Sequence, residues 1–192
     1  MNAFAKIDRP AFLRFAAAHP EQRYELERGR IVQQMTGGTQ RHGIVARRIA
    51  RLLEEQLDAA RWHVLTDRGV GVAESSRYPD VVVEPVTEPL DSLATECPAM
   101  IVEVLSPSTT GTDLNTKPGE YLSISTLDAY IVAGQDEAAM LVWKRGADGC
   151  FEDQGHEVIG LDQSITITGR GLAITLSLGA IYHGIVDPKP NS

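Results

Sequence analysis

Three residues, Asp80, Glu103 and Lys117, carry side chains and settings from which chemistry can be argued. Glu103 stands inside the apolar run MIVEVL at residues 100–105. On a strand Ile101, Glu103 and Leu105 point one way and Met100, Val102 and Val104 the other, so both faces are apolar and the glutamate is the exception. An isolated buried carboxylate is costly, and Glu103 therefore needs a compensating cation. Asp80 opens a second apolar strand in YPDVVV, where it would meet Glu103 if the two strands were neighbours in one sheet. Two adjacent anions repel unless a shared proton, a basic side chain or a metal ion joins them.

A hard divalent ion such as Mg²⁺ suits that pair, because it takes one or two carboxylates, keeps several waters and leaves room for phosphate oxygens. Lys117 would add a positive charge from the start of the following helix. Its simpler role is an i,i+4 partner for Asp113. A third arrangement is a plain buried ion-pair network of Asp80, Glu103 and Lys117. Ser106, Ser108 and Thr109 could bind phosphate, although a hydroxyl-rich turn accounts for them more simply. His42 is an accessory candidate, set against a histidine that only caps or packs a helix N-terminus. His19, His63, His156 and His183 have no metal-like spacing. Cys97 and Cys150 lack CxxC spacing and read as reduced thiols.

The elements that must position these residues follow from periodicity. Asp8 with Pro10 starts a short helix that Pro20 stops. YELERGRIVQQM reads as a hairpin turning at Arg28-Gly29, with Tyr24 and Leu26 on one face and Glu25 and Glu27 on the other, ending at Gly37-Gly38. From Thr39 to Leu57, Val45, Ile49, Leu52, Leu53 and Leu57 recur at helical spacing. Arg41, Arg47, Arg48 and Arg51 give that helix a basic surface, read first as a solvated face and second as a phosphate-contacting one. The spacing predicts a strand pair at 62–66 and 70–73, strands at YPDVVVEP and AMIVEVLSP, and a helix capped by Thr112 or Asp113 that runs through Lys117 to about Ser125. Strands at LDAYIVA and AMLVWKR, a turn at GADG, a variable stretch and a short helix in LSLGAIYHG complete the chain.

The 192 residues suffice for one substantial core, and a single domain over residues 1–186 is expected, followed by a disordered tail at 187–192. No apolar run approaches the length of a membrane span, and the N-terminus lacks a signal-peptide pattern, so a cytoplasmic location is expected. A net charge of −8 argues against indiscriminate coating of nucleic acid, so any nucleic-acid function must rest on a local site.

Taken together, YPD at a strand start, VEVLSPST, and the later D-x-x-x-K of Asp113 and Lys117 followed by Tyr121 resemble the bacterial Uma-two family of restriction-endonuclease-like proteins, within the PD-(D/E)XK nuclease superfamily. The resemblance extends to YEL at 24–26, the helix opened by His42 and the closing strands with their IY-containing helix. It implies a mixed α/β fold, a restriction-endonuclease-like core with a central mixed β-sheet flanked by helices, and hydrolysis of nucleic-acid phosphodiesters, DNA foremost, with Mg²⁺ or Mn²⁺. On the same resemblance Asp80 and Glu103 bind the metal, the Val104 carbonyl adds a ligand, Lys117 orients or activates the attacking water, and Glu25, or Glu27 beside it, is the supporting acid. The superfamily's lysine two residues after the glutamate is Leu105 here, and Lys117 is similar to the displaced lysine of the family. AYIV also lacks the tryptophan that relatives often carry after the helix. A catalytically silent nucleic-acid or protein-binding module on the same fold is the alternative. A symmetric homodimer is expected from the abundance of such dimers and from the resemblance.

Overall fold

A computed structural model describes residues 6–34, 38–87, 89–105, 114 and 116–186. Ser106, Ser108, Thr109, Thr112, Asp113, Gly37 and the tail at 187–192 lie outside them. The first helix, α1 (Arg9–Ala18), starts where Asp8 accepts the Ala11 N–H at 2.8 Å, with Pro10 in its first turn. Strands β1 (Tyr24–Glu27) and β2 (Arg30–Gln33) form the expected hairpin. Its two turn residues, Arg28 and Gly29, have φ of 48° and 82°, the double left-handed turn whose twist matches the strands. Helix α2 (Gln40–Glu54) begins at Thr39, whose hydroxyl accepts the His42 N–H, and buries Val45, Ala46, Ile49, Ala50 and Leu53.

Strands β3 (Trp62–Leu65), β4 (Gly69–Val72), β5 (Ser75–Arg77), β6 (Val81–Pro85), β7 (Ala94–Thr95) and β8 (Met100–Leu105) follow. After α3 (Lys117–Tyr121) come β9 (Ala129–Gly134), β10 (Ala139–Lys144), β11 (His156–Ile159), β12 (Ser164–Gly169), β13 (Leu172–Ser177) and α4 (Leu178–Tyr182). One sheet has the order β11-β10-β9-β8-β6-β3, a second has β2-β1-β5-β4-β7, and β12 pairs with β13. In the first, β8 runs parallel to β9 and antiparallel to β6, which makes it a mixed sheet with β8 inside.

Because β8 is interior, both its faces are covered. Met100, Val102 and Val104 pack with Val45, Ile49 and Leu53 of α2 and with the β12–β13 hairpin, while Ile101 packs with Val82, Tyr121, Tyr130 and Val132 on the other side. Full burial of each such side chain is worth about 1.5–3 kcal/mol. Glu103 belongs by alternation to the second face.

Several sequence expectations need correction. The strands at 62–66 and 70–73 do not pair with each other: β3 lies beside β6 and β4 between β5 and β7. Helix α3 ends at Tyr121 rather than near Ser125. The Ser123 hydroxyl bonds the Glu120 carbonyl at 2.6 Å, a local alternative to helix that serine favours. The stretch read as variable holds β11, β12 and β13; in SITITG, Ile165 and Ile167 face the core and alternate with exposed Thr166 and Thr168. The basic surface of α2 is a solvated face, as first read, with Arg41, Arg47 and Arg51 exposed. Arg41 pairs with Asp136, Arg51 with Glu55, and Arg48 donates to the Ile181 and His183 carbonyls at 2.7 Å each. Among the described residues no helix is long and apolar enough to cross a membrane.

Candidate acidic site

The pairing of β6 with β8 sets Val81 opposite Val102. Asp80 directly precedes β6, and the same antiparallel register extended by one step would set it opposite Glu103. The adjacency on which a meeting of the two acids depends is present, because YPDVVV and MIVEVL pair as apolar neighbours. The Val104 N–H donates to Asp80 Oδ2 at 2.7 Å, and His42 Nε2 lies 3.3 Å from the same oxygen. The bond to Asp80 holds the His42 imidazole above its ordinary pKa against burial, helped by the Asp80 charge, a backbone hydrogen bond at Val104 and the charge of Glu103. His42 can occupy this place because Thr39 fixes the N-terminus of α2 and the apolar stripe of that helix packs on β8.

Glu103 is 4% exposed. Its Oε1 accepts from Lys117 Nζ at 2.7 Å and from the Tyr121 hydroxyl at 3.0 Å. Lys117 and Tyr121 are four residues apart on α3 and so share one side of the helix. Burial, followed by the charge of Glu103, pushes the Tyr121 hydroxyl well above the ordinary tyrosine range, so it stays neutral and serves as a donor. Leu105, two residues beyond Glu103, is only partly buried, and the ammonium that reaches the glutamate comes from α3.

Glu25 is also 4% exposed. Its carboxylate accepts from Arg77 Nη1 at 3.0 Å, Gln34 Nε2 at 3.0 Å and the Tyr78 N–H at 3.3 Å. Glu27 is the more exposed of the two hairpin acids, 3.6 Å from Arg77 Nη2. Arg77 also bonds both oxygens of Glu120, Nε to Oε2 at 2.8 Å and Nη2 to Oε1 at 3.1 Å. Burial acts to lower the pKa of this guanidinium, and its bonds and charge contacts with Glu120 and Glu25 more than offset that. Sequence reasoning missed Arg77 and Glu120. The available signals were the basic residue three before Asp80 and the acid three after Lys117.

Among the described residues Lys117 pairs with Glu103, Arg77 with Glu25, Glu27 and Glu120, and His42 with Asp80. Neighbouring carboxylates such as Asp80 and Glu103 are stabilised by a cation between them. Both bonds to Asp80 end on Oδ2, which leaves Oδ1 without a hydrogen bond among the described residues. This is a hard oxygen donor set of two carboxylates near the Val104 peptide, and it fits Mg²⁺ or Mn²⁺ completed by water better than a soft metal. Among the described residues there is no cluster of three or more His, Cys, Asp or Glu side chains placed to hold a metal, so any ion here relies on water and substrate oxygens for its remaining ligands.

Comparison with known proteins adds family and fold. Residues 9–178 match the model of the family Uma2, described as "Putative restriction endonuclease". The chain is 31% identical over 120 residues to the uncharacterized protein sll1609 of Synechocystis sp., covering 59% of this chain and 67% of that one. It is 26% identical over 188 residues to the uncharacterized protein slr1290 of the same organism, covering 95% and 94%. A crystal structure from Anabaena variabilis, titled a putative nuclease belonging to DUF820, superposes with a TM-score of 0.67 at 14% identity over 84% of this chain and 90% of the other. The fold is restriction-endonuclease-like.

Proposed function

This chain belongs to the Uma2 family, and from that premise we propose that it is a divalent-metal-dependent nuclease that hydrolyses nucleic-acid phosphodiester bonds. The observation that carries the proposal is the pairing of β6 with β8, whose register extended by one step would set Asp80 opposite Glu103, with Lys117 Nζ 2.7 Å from Glu103 in place of the lysine absent at position 105. Asp80, Glu103 and the Val104 carbonyl would hold Mg²⁺ or Mn²⁺. When bound, the ion lowers the pKa of a water molecule and offsets charge developing on the phosphate.

The remaining work falls to the chain. Val104 N–H and His42 fix one oxygen of Asp80 and leave the other for the ion. Tyr121, kept neutral by burial, holds Glu103 Oε1 toward α3. Lys117 brings a cation beside that carboxylate and lowers the cost of an anionic nucleophile approaching an anionic substrate. The water oxygen bonds to phosphorus and gives up a proton to solvent, one P–O ester bond breaks, and the departing oxygen takes a proton from solvent. Glu25 supports from β1 by fixing Arg77. DNA as substrate, a cytoplasmic setting, action of residues 1–186 as one domain and a symmetric homodimer belong to the same proposal; the family likeness supports nucleic acid.

Purified protein is expected to nick or cleave DNA or RNA with added Mg²⁺ or Mn²⁺, and Asp80→Ala, Glu103→Ala and Lys117→Ala are each expected to abolish this. Cleavage unaffected by all three would end the proposal. The close Lys117–Glu103 pair also favours a second reading, a silent binding module in which the ammonium serves as a fixed counter-ion. That reading expects no metal-dependent cleavage from a folded protein.

A further inference from the structure

Helix α3 has five residues, and Thr116 at its N-cap makes no side-chain cap bond. So short a helix is not stable on its own, and its placement must come from tertiary contacts. One such contact is Lys117 and Tyr121 on Glu103; another runs in a different direction. Glu120, on the same helix, is gripped through both oxygens by Arg77 and also accepts from the Ser75 hydroxyl at 3.1 Å. Arg77 is 1% exposed and is held from behind by Glu25 and Glu27 of β1, while Ser75 accepts the Arg28 N–H. The second sheet is thereby tied to the helix that carries the displaced lysine.

We infer that Arg77 is a positioning residue: its paired bonds to Glu120 set α3 so that Lys117 reaches Glu103. A lysine on the strand itself would be placed by the sheet. A lysine fourteen residues later is placed only as well as its helix is, and the planar fork of arginine fixes both position and rotation where an ammonium fixes one point. The inference deepens the proposed nuclease reading, on which its functional consequence rests. The placement of Lys117 can be tested without that reading.

The test is site-resolved acetylation of the native protein by an N-hydroxysuccinimide ester, followed by mass spectrometry, at a temperature where every variant is fully folded. In the unmodified sequence Lys117 should react far more slowly than exposed Lys6 and Lys144. Glu120→Ala leaves Arg77 its partners on β1, and Arg77→Lys keeps the charge without the fork. Each is expected to raise Lys117 labelling roughly tenfold by local opening, with Lys144 unchanged. Calorimetric Mn²⁺ affinity should stay within about twofold, since Asp80 and Glu103 are intact. Where cleavage is measurable, each variant should lower kcat without changing KM. Unchanged Lys117 labelling in both folded variants would overturn the inference. Absent Mn²⁺ binding in the unmodified protein would instead count against the nuclease reading and leave the labelling result to decide the role of Arg77.

Discussion

Buried acids recur in this molecule wherever a cation reaches them. Glu84 meets Arg68, Glu25 meets Arg77, and Asp128 meets Arg170. A paired acid is therefore common here and does not by itself mark a site. Glu103 differs because, on the proposed reading, a second carboxylate shares its site: Asp80 has one oxygen free of hydrogen bonds among the described residues and a histidine beside the other. Hydrogen-bonded support of this kind orients a ligating carboxylate, and its loss commonly costs about 10–100-fold in metal affinity. His42→Leu is accordingly expected to weaken Mn²⁺ binding by about that factor, and His42→Gln, whose amide can still donate, to recover much of it. Titration calorimetry on the three proteins measures this, and equal affinities would remove His42 from the site. The oddity of Glu103 and the opening of its neighbour by Asp80 were legible in the sequence, since a charge inside an apolar run has few explanations. The partners Arg77 and Glu120 were not, because an arginine beside polar serines and a glutamate on a short helix look like ordinary surface residues.

Elements here serve two purposes at once. Helix α2 offers an apolar stripe to the sheet along its length and His42 to the site at its start. Leu53, fully buried and far along the helix from His42, separates the two tasks. Leu53→Ala is expected to cost about 2–5 kcal/mol in chemical denaturation through the cavity it leaves, while Mn²⁺ affinity of the folded protein is unchanged. A matching loss of affinity would show that the stripe and the site are not separable. The start of α2, the Arg28-Gly29 turn and strands β6 and β8 were readable because capping, left-handed turns and strong apolar runs are local signals. Strands β5 and β7 were not, because SSR and AT carry little intrinsic strand signal and form through pairing in the second sheet. The alternation in SITITG was present and legible, and the Arg170-Gly171 turn that follows it has φ of 40° and 96°.

At the scale of the molecule, topology turns distant sequence into one place. An antiparallel neighbour supplies Asp80, the connection from β8 to its parallel neighbour β9 carries Lys117, the start of α2 supplies His42, and the second sheet supplies Glu25 and Arg77. Periodicity could identify the strands but not their order; the adjacency of β6 and β8, on which a meeting of Asp80 with Glu103 depends, is visible only in the sheet. With a net charge of −8 the molecule as a whole repels a polyanion, so on the proposed reading a nucleic acid would have to be held by the local site. The most direct test of the account is a crystal soaked in Mn²⁺, with an anomalous difference map. The account predicts a peak at about 2.0–2.3 Å from carboxylate oxygens of both Asp80 and Glu103. A map with ordered Asp80 and Glu103 side chains, Lys117 still paired to the glutamate and no peak between the two acids would contradict it.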